Sequence, residues 1–147
     1  MPQGLIQPAN GILYAGQPLV REYEVKTATS CFPGRLVTTD TNEWDIKVMI
    51  SGAAGALGVL DVEPGNLRAY SYDAADQARV LSGPCIVLMT ADSGGTAITI
   101  GTVLMPANTG MVMAGTAAGI ALGAQVGIAL QAVAAMTKAN LLVLLEI

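Results

Sequence analysis

Residues 93–137 carry no charged side chain. The stretch is built of Ala, Gly, Thr, Val, Ile, Leu and Met. Hydroxyls, Asn108, Gln125 and Gln131 are its only polarity. Such a segment must be covered by lipid, by its own core or by a neighbour. Gly115, Gly119, Gly123 and Gly127 recur at every fourth position inside it. That is the spacing at which small residues let membrane helices approach closely. The covering medium therefore has to be decided first.

Residues 111–136 are long enough to span a bilayer. Each glycine inside a helix, however, costs about 1 kcal/mol relative to Ala. Gln125 and Gln131 interrupt the span, and no Trp, Tyr, Lys or Arg anchors its start. A soluble helix over residues 124–136 is a second possibility. The preferred reading is a set of Gly-punctuated strands, each Gly marking a bulge, a tight turn or a close backbone approach. On that reading residues 93–137 form barrel core and subunit interface, buried by protein and not by lipid.

The rest of the chain supports strands. Period-two alternation or short apolar runs predict strands over residues 19–27, 35–38, 45–50, 57–62, 67–72, 78–81, 85–90, 96–105, 111–113, 126–133 and 141–147. Turn signals separate them: Phe32-Pro33-Gly34, Glu63-Pro64-Gly65-Asn66, Ser82-Gly83-Pro84 and residues 106–110. Many short strands with Gly and Pro between them predict an all-β barrel or sandwich. The expected architecture is a small Gly-rich β-barrel with little helix, over residues 18–147. Residues 1–17 read differently. Pro2, Gly4, Pro8, Gly11 and Gly16 break any period around Leu5, Ile6, Ile12, Leu13 and Tyr14. An extended arm fits, its apolar residues seeking pockets on a partner, with a sheet edge as a natural seat; an arm folded back on its own domain is the alternative. The start also lacks the charged and apolar regions of a signal or transit peptide.

Composition closes several functional classes. Seven Lys and Arg, scattered, against eleven Asp and Glu give a net charge of −4. Nucleic-acid binding needs a basic patch, and anionic membrane surfaces need the opposite balance. There is no histidine, which removes the commonest general base and the Ser-His-Asp and Cys-His arrangements. Cys31 and Cys85 stand alone, with too few soft ligands for zinc, and read as buried thiols with a single disulfide as the alternative. No phosphate-binding glycine motif occurs. Ser93-Gly94-Gly95 reads as a hairpin loop, with an anion cradle as the other possibility. Asp61 with Glu63, and Asp73 with Asp76, read as solvated loop charges; a carboxylate-lined enzyme or ligand pocket is the alternative. No cofactor, metal or catalytic residue is expected. With 52% hydrophobic residues and 12% charged, the surface should be happier covered than bare.

Two parts of the chain resemble known patterns. Arg21-Glu22-Tyr23-Glu24-Val25 followed by Phe32-Pro33-Gly34-Arg35-Leu36-Val37 resembles the opening of a family of viral capsid structural proteins. Gly101-Thr102-Val103-Leu104-Met105, Gly110-Met111-Val112, Val126 to Ala132 and Leu141 to Leu145 resemble the closing strands of tailed-phage head decoration (cement) proteins. The resemblance implies a β-tulip barrel forming homotrimers on the outer capsid surface of a virion. It implies an N-terminal arm that joins a neighbouring capsid subunit's sheet, and the major capsid protein as partner. Arm contacts would then be Leu5, Ile6, Pro8, Ile12, Leu13 and Tyr14. Interface candidates are Trp44, Met105, Met111, Met113, Ile120 and Leu122. Another virion β-barrel (spike, tail or minor capsid component) is the alternative expectation.

Overall fold

The computed structural model describes residues 7, 8, 10–63 and 66–147. In chain order the strands are β1 (Leu13–Gly16), β2 (Leu19–Val25), β3 (Leu36–Thr39), β4 (Asp45–Val48), β5 (Gly58–Leu60), β6 (Gln77–Ser82), β7 (Cys85–Asp92), β8 (Val103–Pro106), β9 (Val112–Ala114), β10 (Gly127–Ala129) and β11 (Lys138–Leu145). One short helix, α1 (Ala117–Ala121), lies between β9 and β10. The all-β, barrel-built class expected from the sequence is the class found. Leu5 and Ile6, and the Pro64-Gly65 centre of one expected turn, lie outside the described residues.

The strands form two systems. The first is a closed barrel in the order β2-β4-β3-β5-β6. The second is a sheet in the order β1-β7-β11-β10-β8-β9, in which Ala91 opposite Val112 joins β9 back to β7. Side-chain alternation sorts residues between two cores. In the barrel Tyr23, Val25, Val37, Ile46, Leu60, Ala78 and Val80 point inward around Tyr72 and Cys31. Their neighbours Leu36, Val59 and Leu81 point the other way, onto the sheet. They meet Val87, Met89 and Ala91 of β7 and Leu141, Val143 and Leu145 of β11. Each such leucine taken from water contributes about 2 kcal/mol. Cys31 and Cys85 are free, buried and divided between the two cores. Burial pushes both thiols above their ordinary value.

A paired ribbon connects the systems. Gly16 lies opposite Cys85 at the end of β1, and Leu19 lies opposite Ser82 at the start of β2. The Gln17-Pro18 and Gly83-Pro84 links therefore cross side by side. The Gly83 N–H donates to the Ile147 carbonyl, which ties the end of the chain to this crossing.

Three strand expectations are corrected. Of the stretch expected as strand over residues 96–105, only Val103–Pro106 forms one, because the chain turns first, the Thr102 N–H closing onto the Thr99 carbonyl at 3.1 Å. Residues 67–72 form no strand, because Leu67, Ala69 and Ser71 against Arg68, Tyr70 and Tyr72 offer no consistent apolar face. The Tyr70 N–H closes a turn onto the Leu67 carbonyl at 3.0 Å. Tyr72 alone enters the barrel, its hydroxyl donating to the Asp61 carbonyl at 2.5 Å. The strand expected over residues 45–50 ends at Val48, so the alternation breaks: Met49 is buried and Ile50 is exposed. At the other end β11 starts at Lys138, earlier than its apolar run, because Lys138, Ala139 and Asn140 pair with Asp92, Ala91 and Thr90.

The period-four glycines are no helix zipper. No helix among the described residues is long and apolar enough to cross a membrane. Each glycine has its own local cause. A Cβ at Gly127 would strike the Leu144 carbonyl, where β10 meets β11, and one at Gly119 would strike the Met105 sulfur beneath α1. A Cβ at Gly115 would sit 3.1 Å from the Val103 carbonyl. Gly123 has φ +81° in open space and makes the turn after α1. Thr116 caps α1, its hydroxyl accepting the Gly119 N–H at 3.0 Å.

These causes predict unequal outcomes. Gly127→Ala forces a methyl group onto a backbone carbonyl and should destabilise by about 1–3 kcal/mol. Gly95→Ala, with nothing within 4 Å, should stay within about 0.5 kcal/mol. Urea denaturation of both variants checks the pair.

Candidate interaction surface

β1 ends the sheet order and, among the described residues, pairs with β7 alone. All four of its residues are exposed. Its outer backbone edge is thus open, a template for another strand. The chain continues extended through Gln17-Pro18, keeping register from Gly16 opposite Cys85 to Leu19 opposite Ser82, and enters β2 through Leu19 and Val20, both exposed. Leu13, Tyr14, Leu19 and Val20 are thus all exposed along one continuous ribbon, successive side chains on opposite faces.

The segment preceding β1 is held to this domain. Ile12 is fully buried in the core, and its carbonyl accepts the Leu88 N–H at 2.7 Å. The Gln7 amide donates to Asn140 O at 2.9 Å, and Arg68 donates to the carbonyls of Pro8 and Gly11. Of the expected arm contacts, Ile12 is turned inward and Pro8 is half-buried, while Leu13 and Tyr14 face outward.

The interface candidates divide as well. Met105 and Met111 are buried, and Met113 is half-buried. Trp44, Ile120 and Leu122 are exposed, Leu122 by 74%. Trp44 stands at the Asp45 end of β2, roughly 17 Å along that strand from Leu19, so it belongs to a different face from the β1 ribbon.

Charge is segregated between the two systems. Nine of the eleven carboxylates lie within residues 22–76, in the barrel and its loops; the other two are Asp92 and Glu146. The sheet carries the charge-free stretch, and only part of that stretch is core. Ile98, Leu104, Val112, Val126, Ala129 and Val133 are buried. Ile100 and Met136 are 73% and 82% exposed, alongside much of α1. The expectation that this stretch is core holds for its inward half. Its outward half is uncharged surface.

The remaining candidates have structural duties. Asp61 pairs with Arg79 at 3.7 Å, Glu63 accepts from the Asn66 amide, and Asp76 accepts the Asp73 N–H at 2.8 Å. Asp61, Glu63 and Asp76 all lie near the Tyr72 hydroxyl, which burial and then their charges push up, but no three acids among the described residues are grouped to hold a metal ion. The Ser93 hydroxyl accepts the Thr137 N–H at 3.0 Å and donates to the Ala134 carbonyl at 2.6 Å, which binds the Ser93-Gly94-Gly95 loop to the turn before β11. Sequence reasoning missed a cleft lined by Arg35 and Arg68, two residues far apart in the chain. No local motif marks it.

With this architecture in view, comparison with solved structures is informative. The N base of the head fiber protein gp8.5 of bacteriophage phi29 aligns with a TM-score of 0.55 over 86% of this chain and 94% of that one. The fold is similar to that of a phage head-fiber base. Identity is 13%, so the likeness to the head-fiber base is one of fold, and no residue role is carried across. The match takes in both strand systems, since neither is small enough to fall in the unmatched remainder. No family model and no curated protein matches the chain.

The turn that presents Trp44 is organised by one carboxylate. Asp45 accepts from the Thr41 N–H at 2.7 Å, the Thr41 hydroxyl at 2.6 Å and the Asn42 N–H at 2.9 Å. Burial alone would raise its carboxyl; these bonds, with Lys26 nearby, outweigh burial and hold it below the usual range. A depressed folded value stabilises the protein above the unfolded value of about 3.9. That stabilisation is lost as pH falls through the folded value. Asp45→Asn should therefore lower the melting temperature at neutral pH, with the gap from wild type closing below about pH 4. Thermal melts across pH 2–7 read this directly, and a gap that persists at the lowest pH would contradict it.

Proposed function

We propose that this chain is a non-enzymatic structural protein of a virion, a capsid decoration protein that binds the outer surface of the assembled shell and stabilises it. Its partner is the major capsid protein, and its working state is a homotrimer. The observation that carries this reading is the two-system β fold shared, over most of both chains, with a phage head-fiber base. Two further features support it. The uncharged outward half of residues 93–137 is surface that a free chain gains little by exposing. The open edge of β1 offers backbone hydrogen bonds to a strand of another subunit.

A decoration protein acts by mass action: it binds the assembled lattice better than free subunits and shifts the equilibrium toward the shell. Attachment at several capsomers multiplies weak contacts. The ribbon from Leu13 to Val20 would serve the shell, and the α1 face with Ile120 and Leu122 would serve the contact between copies. A second reading is favoured by the nature of the neighbour: the chain would be the base that seats a fibre on the head.

Heads lacking this protein, mixed with the purified chain and sedimented, test the proposal. Wild-type chain should bind saturably and raise the temperature at which heads rupture. Tyr14→Asp combined with Val20→Asp should weaken binding about tenfold, or roughly 1.4 kcal/mol, without a change in the chain's own melting temperature. Leu122→Lys should shift trimer to monomer in analytical ultracentrifugation. Heads that bind no chain at any concentration would contradict the decoration reading.

A further inference from the structure

A cleft of about 470 Å³ opens where the sheet meets the loops of the barrel. Arg35 and Arg68 line it with Asn10, Phe32, Thr90 and Asn140, and no carboxylate does. β7 and β11 bring Thr90 and Asn140 face to face. The loops before β1, before β3 and after β5 bring the rest.

The two arginines are bonded in the same way. Arg68 donates through Nη1 to the Pro8 carbonyl at 3.0 Å and the Gly11 carbonyl at 3.2 Å. Arg35 donates through Nη1 to Thr109, at 3.2 Å to its carbonyl and 3.1 Å to its hydroxyl, and its guanidinium stacks 5.0 Å from the Phe32 ring centre. Neither arginine has an acceptor for Nε or Nη2 among the described residues, and Arg35 Nε is buried. The Nε–H and the parallel Nη2–H are the fork that a carboxylate grips with both oxygens. The Asn140 side-chain carbonyl accepts from the Thr90 hydroxyl at 3.1 Å, and its amide N–H groups find no acceptor among the described residues.

Counter-ions are missing too. The ion pairs among the described residues are Lys47 with Asp40 and Arg79 with Asp61. In a chain of net charge −4, two guanidiniums share one cleft with no acid among the described residues that line it. Burial lowers Arg35 from the ordinary guanidinium value, as expected of a partly desolvated cation without a counter-ion. Two cations within an acidic chain suit one negative charge. A polyanion would need a wider basic patch.

We infer that this cleft is a binding site for a single carboxylate, with Arg68 gripping both oxygens, Arg35 adding the second positive charge and the Asn140 amide donating from the opposite wall. Two sources share that chemistry: an acidic side chain presented by a protein, and a free small carboxylate. The inference does not rest on the virion reading, because it is tested on the isolated full chain.

The test is a titration followed by the Nε–Hε resonances of Arg35 and Arg68, with N-acetyl-glutamate N-methylamide, acetate, inorganic phosphate and chloride at matched ionic strength. Saturable shifts with the capped glutamate are expected. Tighter binding of capped glutamate than of acetate assigns the site to a presented side chain; equal binding assigns it to free carboxylates. Arg68→Lys keeps the charge and removes the fork, and Asn140→Asp keeps the acceptor for Thr90 while placing an acid in the cleft. Each should weaken binding about tenfold or more. Two variants are used because Arg68 also holds Pro8 and Gly11. The inference is overturned by shifts that fail to saturate, by equal shifts with phosphate or chloride, or by an Asn140→Asp chain that binds as wild type does.

Discussion

The eight-residue antiparallel ladder between β7 and β11 is the contact on which the other elements depend. On one side β7 is paired with β11 from Cys85 to Asp92. Its other side is shared out along its length: β1 at Cys85–Val87, the Ile12 carbonyl at Leu88, the Gly34 carbonyl at Thr90 and β9 at Ala91. The strand therefore holds the N-terminal segment, the loop into the barrel and the closing strand of the sheet at once. Alternate residues of the ladder then face Leu36, Val59 and Leu81 of the barrel. Loosening this ladder would loosen both strand systems and open the crossing between them.

That arrangement decides where charge can go. The sheet's inner face and the barrel's outer face meet in one apolar layer, so the barrel loops carry most of the ionic groups. The charge-free stretch is left with one buried face and one bare face. Its bare part, in α1 and the turns around residues 94–101 and 134–136, carries no carboxylate or ammonium group and is suited to lasting contact with other protein. The open edge of β1 points the same way. Acidic residues, by contrast, are tied into turns, as Asp45 and Asp76 are, and they organise loops.

Much of this was legible in the sequence. Alternation in Leu19 to Val25 and the turn at Phe32-Pro33-Gly34 placed β2 and β3 within a residue or two, because Tyr23 and Val25 of β2 face the barrel core and the Pro-Gly turn marks where β3 begins. Of the glycines after Gly110, Gly115, Gly123 and Gly127 read correctly as strand and turn punctuation, whereas Gly119 lies inside α1. Partners were not legible. Period two reveals which face is buried and says nothing of what buries it, so the division into two closed systems lay outside pattern reading. α1 was invisible because five residues of Ala, Gly and Ile carry no period. Residues 67–72 misled because alternation of Leu, Ala and Ser with Arg and Tyr imitates a strand while offering no apolar face. The arginine cleft depends on pairing between distant segments, and no local motif encodes it.

The central claim is that this fold acts by burying its uncharged surface against an assembled shell. A cryo-electron microscopy reconstruction of the virus particle that carries the protein tests it most directly. The account predicts two-barrel density on the outside of the head, with β1 against a capsid subunit and the α1 faces of three copies meeting. Heads without such density, or density in which β1 and α1 both face solvent, would contradict it.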